Sequence, residues 1–514
     1  MARSSERDGW ANRLQFYVLT NFEPVWDFLH SRPRLRRAVN HALINSAVLT
    51  VPTRPNPLSA LADYSSWSSL TDRTFSSRHL PPVAASGLPD AERVADLFLR
   101  SGDGVLCPKS TVMFAYFAQW FTDGFLRSDR SPEGDPRRND SRHDIDLLPL
   151  YGVTPEWTKQ LRSHEGGRLK SQSIGGAEFP PYLYADGAKK PEFSAIEVVR
   201  PDRVPPERLD SLFACGSDTT NSQTGFVLLN TLFLREHNRI AGLLAAEYRG
   251  WDDERLFQTA RNIMIVLLIK LVIEEYINHI TPYHFGLVAD PVPFKNERWN
   301  RPNWMAVEFN LLYRWHGLIP SRLHGEPVWK TIFNPGMVVE RGVAPLMQDA
   351  SRTRAGRVGP FNTDPALREV ELASIQTGRA LSLAPYNDYR ELAKFPRVTD
   401  FDQISGEEAV QSLLEELYRS VDRIEFFPGL FAEDARPNSV LPSLIGRMVG
   451  VDAFSQALTN PLLSPRVFNE QTFSPQGMEI IGSTQRLSDI LNRNVPESPG
   501  EHFVTMTREG WQRV

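Results

Sequence analysis

The sequence predicts a mainly α-helical fold, and three observations predict it. Apolar residues recur at i, i+3, i+4 and i+7 from Leu228 to Tyr248 and again from Asp252 to Ile280, the repeat of a buried helix face. Strand signals are weak and confined to short stretches such as Glu197 to Arg200. The chain has 514 residues, 41% of them hydrophobic, enough to bury a large core in several domains or in one big helical one.

The elements follow in order. Between residues 10 and 50, Trp10, Leu14, Phe16, Tyr17, Leu19, Phe22, Val25, Trp26, Phe28 and Leu29 come close together, followed by Arg32, Arg34, Arg36 and Arg37. Short helices with an aromatic face and a cationic rim suit a membrane surface. The alternative is that these aromatics pack on the main domain. VPTRPNPL, Val51 to Leu58, disfavours helix and marks a boundary between an N-terminal region, 1–57, and the remainder, 58–514. From Asp90, the residues Ala91, Val94, Ala95, Leu97, Phe98 and Leu99 recur near the helical period, and a second helix is expected over about Ser110 to Leu126. Charge, proline and glycine from Arg127 to Asp144 read as a surface loop. In RGWDD, Gly250 can stop one long helix and Asp252 can cap the next. Later helices are expected near Ala366 to Leu381, Gly406 to Val421 and Leu441 to Leu458.

Several function classes are disfavoured. A formal charge of −5 gives no basic excess for nucleic acid, and no phosphate-binding loop, GxGxxG, GxSxG or internal repeat is present. Cys107 and Cys215 are too few for a disulfide framework and lack zinc or redox spacing, which fits a reducing compartment. MARSSERDGW leads into no cleavage site, so a cytoplasmic location is expected. Asn262 to Ile273 is shorter than the roughly 20 apolar residues a spanning helix needs, and Lys270 interrupts it.

The stretch EFNLLYRWHGLIP, residues 308–320, places Tyr313 three positions before His316. On a helix such residues share a face, roughly 5–6 Å apart. A neutral imidazole suits haem iron, and a neighbouring phenol can give up a hydrogen atom. The same spacing also describes two aromatic side chains filling a core.

This stretch resembles the animal-type haem peroxidase superfamily, in its prostaglandin H synthase and fatty-acid dioxygenase branch, where a Tyr-x-Trp-His stretch carries a radical tyrosine and the proximal haem ligand. Residues 231–285, TLFLREHNRIAGLLAAEYRGWDDERLFQTARNIMIVLLIKLVIEEYINHITPYHF, are similar to the same branch. So are VMFAYFAQWFTDGF, HDIDLLPLYG, PYNDYRELAKF, EFFPGLFAEDARPNS and NPLLSPRVF, in the family's order from about residue 16 to about 495. The resemblance implies one large haem peroxidase-like catalytic domain behind N-terminal helices that rest on one membrane leaflet. The cysteines offer no counterpart to the growth-factor-like module of the animal synthases, which fits a bacterial source.

By that resemblance His316 is the proximal iron ligand and Tyr313 the hydrogen-abstracting tyrosine, while Gln119 and Thr122 belong to the distal haem pocket. The distal histidine's place holds Asp123, which can accept a proton but is a poorer donor near neutral pH, so weak peroxide turnover is expected. His143 is expected to be structural. Ser222 stands where related peroxidases carry an ester-forming glutamate, which implies exchangeable haem b. Phe427 stands where cyclooxygenases carry the tyrosine partner of the proximal histidine, leaving open what orients His316.

The channel implied by the resemblance is walled by Ile277, Ile280, Phe309, Leu312, Trp315 and Ile445, with Tyr283 at its mouth. The alternative is that these are ordinary core residues. Arg54 and Arg447 are the two candidates to hold a fatty-acid carboxylate, and Ala453 stands where cyclooxygenases carry the serine that aspirin acetylates. The implied reaction is addition of O2 to an unsaturated fatty acid, started by peroxide, in a monomer or homodimer that lies in the cytoplasm or on the inner leaflet. The alternatives are a true cyclooxygenase, a haem peroxidase for small donors, and a non-catalytic haem-binding or membrane-surface protein.

Overall fold

The long apolar repeats do become helices, and they form the centre of the molecule. Thr224–Glu247 and Asp253–Leu271 pack against one another and are buried along most of their length. As RGWDD predicts, the Asp252 side chain caps the second helix, accepting from Arg255 N at 2.8 Å. The first helix ends before Gly250 is reached, with Tyr248 as its C-cap. The computed structural model describes residues 8–51, 64–65, 67–84, 86–129, 131 and 133–513. Of the expected boundary segment, 51–58, residues 52–58 lie outside them.

Around this pair, Val112–Asp123 is buried on nearly every face, and Arg368–Ala380, Glu408–Tyr418 and Ser443–Leu458 stand where helices are expected. Among the described residues, strands occur only in two-stranded antiparallel ribbons. One of these, Leu106–Thr111 with Arg354–Gly356, positions the site. Residues 197–200 are not a strand: Val199 N makes a bond to Asp218 O at 2.9 Å, and Arg200 turns to φ 48° before the Pro201–Arg203 turn. The helix expected from Asp90 to Leu99 stops at Ala95, because the chain leaves to bridge Leu99 with Thr363.

The segment from Asp253 to Ile280 is helical throughout, 28 residues with a mean hydropathy of 1.8, long and apolar enough to cross a membrane; 78% of its most apolar window is buried within the fold. It is not uniform. Val272–Ile277 is π-helical, and the extra residue of that turn sets where Glu275, Tyr276 and Ile277 point.

Glu275 carries a testable consequence. Burial pushes its carboxyl up to about 7 from an ordinary 4.5, although its Oε2 accepts from Leu487 N at 2.8 Å. The folded chain therefore keeps this proton up to about pH 7, whereas the unfolded chain releases it near 4.5, so stability falls as pH rises between those values. Glu275→Gln should remove that loss, gaining about 3 kcal/mol on the parent between pH 4.5 and 8, as measured by denaturant unfolding. An unchanged difference across that range would refute the assignment.

The N-terminal helices are Trp10–Thr20, Glu23–Ser31 and Pro33–Val48. The third packs on Ser443–Leu458 through Ile44 and Val48. The first two do not bury most of their aromatics: Trp10 is 76% exposed and Phe28 55%, and Leu14, Tyr17, Phe22 and Val25 are exposed as well. Trp26, with its ring edge on Phe285, and Phe16, whose ring lies 4.7 Å from the Arg436 guanidinium, are the exceptions.

Candidate functional site

The stretch holding Tyr313 and His316 is not one helix. Val307–Leu312 is helical, Tyr313 ends it at φ −102° and ψ 15°, and a separate 3-10 turn covers His316–Leu318. The expectation that the two side chains share a helix face is therefore corrected. The Trp315 indole takes the Leu312 carbonyl at 2.5 Å, and Asn362 Nδ2 takes Gly317 O at 3.2 Å. The turn docks closely on the ribbon: a Cβ built on Gly356 would lie 2.0 Å from Gly317 O, so glycine is required there.

The break gives each side chain its own surroundings. His316 faces a cavity of about 230 Å³ that Gln119, Thr122 and Asp123 line together with Tyr313, Arg314 and Trp315. Thus Trp315, expected in a lipid channel, lines this cavity instead. The Thr122 hydroxyl donates to Ala118 O at 2.8 Å, within its own helix. Asp123 is engaged: its Oδ2 accepts from Ser217 Oγ at 2.5 Å and Thr219 Oγ1 at 2.8 Å, and Arg127 pairs with it at 3.3 Å. Every one of these neighbours donates, so the carboxylate is held as an acceptor.

The hydroxyl of Tyr313 is buried while its ring is half-exposed to the cavity. The ring stacks on Trp315 at 4.8 Å and meets Phe309 edge-on at 4.9 Å. Burial pushes its pKa well up, the charge of Asp452 adds to that, and the Tyr276 hydroxyl opposes it. Tyr276 and Tyr313 therefore sense one another, although neither hydroxyl is aligned for a full hydrogen bond. Nearby lies a buried polar network. His79 Nε2 meets Asp452 Oδ2 at 2.6 Å, and Glu308 Oε1 accepts from His79 N at 3.0 Å and from the Tyr389 hydroxyl at 3.0 Å. It ties the helix before Tyr313 to three distant segments.

Across the turn, His316 Nδ1 lies 3.0 Å from Glu371 Oε1, at contact distance but without hydrogen-bond alignment. Phe427, by contrast, is buried and stacked on Phe98 at 5.0 Å. His143 makes two buried structural bonds, to Arg73 O at 2.9 Å and from Met305 N at 2.8 Å. Burial lowers its pKa to about 4.

A second cavity, about 140 Å³, is lined by Ile277, Ile280, Tyr283, Arg447 and Ala453, with Phe16, Leu19 and Ile44 of the N-terminal helices across from them. Phe309, Leu312 and Ile445 lie outside its lining and are fully buried, so at those positions the expected channel is closed by packing. Arg447 donates to Asn12 Oδ1 at 3.1 Å and Thr50 Oγ1 at 3.4 Å and lies 4.9 Å from the Phe395 ring centre. Burial lowers its pKa, and among the described residues no carboxylate is paired with it. Arg436, which also lines this cavity, pairs with Asp8 at 2.8 Å. Arg54 lies outside the described residues. A larger open groove of about 870 Å³, between Arg34, Arg36 and Arg37 and the segment 270–290, holds none of the expected site residues.

The residues lining the His316 cavity suit the expected group in chemistry. Among the described residues no cluster of three or more His, Cys, Asp or Glu could hold a metal ion, so an iron on His316 would take its other ligands from a porphyrin. The cavity presents one imidazole, small Ala115 and Ala118 side chains that leave room, and Arg314 on its rim. Sequence reasoning missed Glu371, Tyr276, Asp452 and Arg436. Only Tyr276 carried a local signal, a polar-tipped ring on a helix of apolar residues, next to Ile277 and one turn from Ile280.

Comparison with known proteins agrees with this geometry. The family profile described as animal haem peroxidase matches residues 124–504. Prostaglandin G/H synthase 2 of Equus caballus is 32% identical over 505 residues, covering 95% of this chain and 81% of the relative. Prostaglandin G/H synthase 1 of Mus musculus is 32% identical over 520 residues, covering 96% and 84%. In fold, the fatty acid alpha-dioxygenase of Oryza sativa superposes with a TM-score of 0.72 at 16% identity, covering 96% of this chain and 97% of that one. Peroxidase A of Dictyostelium discoideum gives 0.68 at 19%, covering 85% and 96%.

Proposed function

This chain belongs to the animal haem peroxidase family and is an oxidoreductase, and from that premise we propose that it is a haem-dependent fatty-acid dioxygenase with Tyr313 as its hydrogen-abstracting residue. The observation that supports the reading is the buried hydroxyl of Tyr313, three residues from an imidazole that lines the same cavity. Haem b, held without covalent links through His316, would supply one-electron oxidising power drawn from a peroxide. Ser222 at the cavity wall, its hydroxyl given to Thr219 O at 2.6 Å, supports non-covalent binding.

The chain's own residues do the rest. Tyr313 resists ionisation, so it loses its electron and proton together, as a hydrogen atom. The phenoxyl breaks a C–H bond of an unsaturated fatty acid and regains its O–H. O2 adds to the carbon radical, and the resulting peroxyl takes the hydrogen back from Tyr313, so that a hydroperoxide forms and the radical is restored. Asp123, occupied by Ser217, Thr219 and Arg127, accepts rather than donates, which supports slow turnover of peroxide with donors such as guaiacol.

Arg447 would hold the carboxylate, a role supported by its place in the cavity lining and by the pairing of Arg436 with Asp8. A charge-assisted hydrogen bond of this kind contributes roughly 1.5–3 kcal/mol. Arg447→Leu should therefore raise KM for linoleate roughly 10- to 100-fold with kcat little changed, read from initial oxygen uptake; an unchanged KM would move the anchor elsewhere. The cavity of about 140 Å³ is below the roughly 300 Å³ at which ligand pockets begin, so Phe309 and Leu312 must shift to admit an acyl chain.

The N-terminal helices expose apolar side chains outward while Asn12, Phe16 and Leu19 line the mouth. That arrangement supports a peripheral seat on one leaflet, from which lipid enters. Trp10→Ser with Phe28→Ser should reduce co-sedimentation with liposomes; undiminished binding would exclude this face.

The deciding experiment gives haem-loaded protein linoleate and arachidonate in an oxygen electrode and identifies the products by mass spectrometry. Hydroperoxides support the dioxygenase. An endoperoxide from arachidonate would favour a true cyclooxygenase, the reading suggested by the names of the curated relatives. No oxygen uptake with either lipid would overturn both.

A further inference from the structure

We propose that Glu371 is the positioning residue of His316, fixing its tautomer and the direction of its ligating nitrogen; the proposal rests on the reading that His316 carries the haem. Glu371 sits on the Arg368–Ala380 helix with its side chain 1% exposed, and its Oε1 is 3.0 Å from His316 Nδ1. The same oxygen accepts from the buried Thr363 hydroxyl at 2.6 Å, while Oε2 has no hydrogen-bond partner. Among the described residues His316 is the one ionisable group paired with this carboxylate.

A buried carboxylate is costly unless it is paired and hydrogen-bonded. Thr363 satisfies one oxygen and has its own place fixed, since its carbonyl accepts from Arg100 N at 2.9 Å and its backbone bridges Leu99. Oε1 can accept a second hydrogen bond beside that of Thr363, and His316 Nδ1, 3.0 Å away, is the donor at hand. A small rotation of the ring closes that hydrogen bond and places the proton on Nδ1. The lone pair is then on Nε2, the nitrogen available to iron, and the adjacent negative charge makes that nitrogen a stronger donor. Glu371 thereby answers what orients His316 in a chain whose position 427 is phenylalanine. The carboxylate also favours the more positive iron, so removing its charge raises the ferric–ferrous midpoint potential.

The test uses haem-reconstituted full-length chain, the near-isosteric Glu371→Gln, and Thr363→Val, which perturbs the carboxylate without touching it. Three quantities are read: haem affinity, the ferric–ferrous midpoint potential, and the iron–histidine stretching band in the resonance Raman spectrum of the ferrous form. Glu371→Gln should raise the potential, lower the stretching frequency and weaken haem binding roughly 10- to 100-fold. Thr363→Val should shift the first two in the same directions by less. Parent values of potential and stretching frequency in haem-loaded Glu371→Gln would overturn the proposal. Parent chain that takes up no haem would overturn both this proposal and the haem reading. Haem uptake without fatty-acid oxidation would sink the substrate assignment alone, and the stretching band would still decide Glu371.

Discussion

Replacing Tyr313 with phenylalanine is expected to abolish fatty-acid-dependent oxygen uptake, by roughly 1000-fold, while leaving the haem spectrum in place. The phenyl ring keeps the stacking on Trp315 at 4.8 Å and the edge contact with Phe309 at 4.9 Å, so the wall of the cavity keeps its shape. What is lost is a buried hydroxyl without an aligned hydrogen-bond partner. Removing such a group costs little stability and can even add some, because a buried polar atom no longer goes unsatisfied. Rate and stability should therefore separate: about three decades of activity, within the span that a positioned hydrogen-transferring group supplies, against a denaturation midpoint near the parent's. Oxygen uptake with linoleate and absorbance in the Soret region, measured on one preparation, check both halves. Undiminished uptake in haem-loaded variant would show that some other group abstracts the hydrogen.

Replacing His316 with alanine should have an effect of comparable size by a different route, loss of the cofactor itself. The imidazole is the single His, Cys, Asp or Glu ligand that the turn offers, and Asp123 on the opposite wall is already engaged by Ser217, Thr219 and Arg127. The variant should show no Soret band at haem concentrations that saturate the parent, and imidazole added to the solution should restore part of it. The substitution also leaves the buried Glu371 carboxylate with the Thr363 hydroxyl and no imidazole beside it, and an unsatisfied buried acceptor costs roughly 1–3 kcal/mol. A lower unfolding midpoint should accompany the spectral loss even in haem-free protein. An unaltered Soret band in this variant would remove the foundation of the functional reading.

Much of this fold was legible because it is written in short-range patterns. The helices 224–247 and 253–271 follow from apolar spacing, and Asp252 declared its cap three residues before the amide it binds. Gln119, Thr122, Asp123, Tyr313 and His316 were legible as a set, and they line one cavity. What stayed hidden depends on tertiary contact. The helix break at Tyr313 is made by an indole reaching back to a carbonyl and by a turn docking on a strand far away in sequence, while the apolar pattern runs on regardless. The π turn at 272–277 inserts one residue without altering composition. Glu371 meets His316 only because a separate helix is brought alongside, and periodicity carries no trace of that meeting.

The two cavities share no lining residue. Tyr313 lines the first and Ile277, next to Tyr276, lines the second, so in the proposed reaction oxidant and lipid would occupy separate cavities, with the packed residues around Tyr313 as the wall. Electrons can pass through such a wall while the reactants never mix. Reducing agents that enter from the oxidant side should therefore quench the enzyme without competing with fatty acid, and a lipid analogue lodged at the mouth should leave the oxidant side free to turn over.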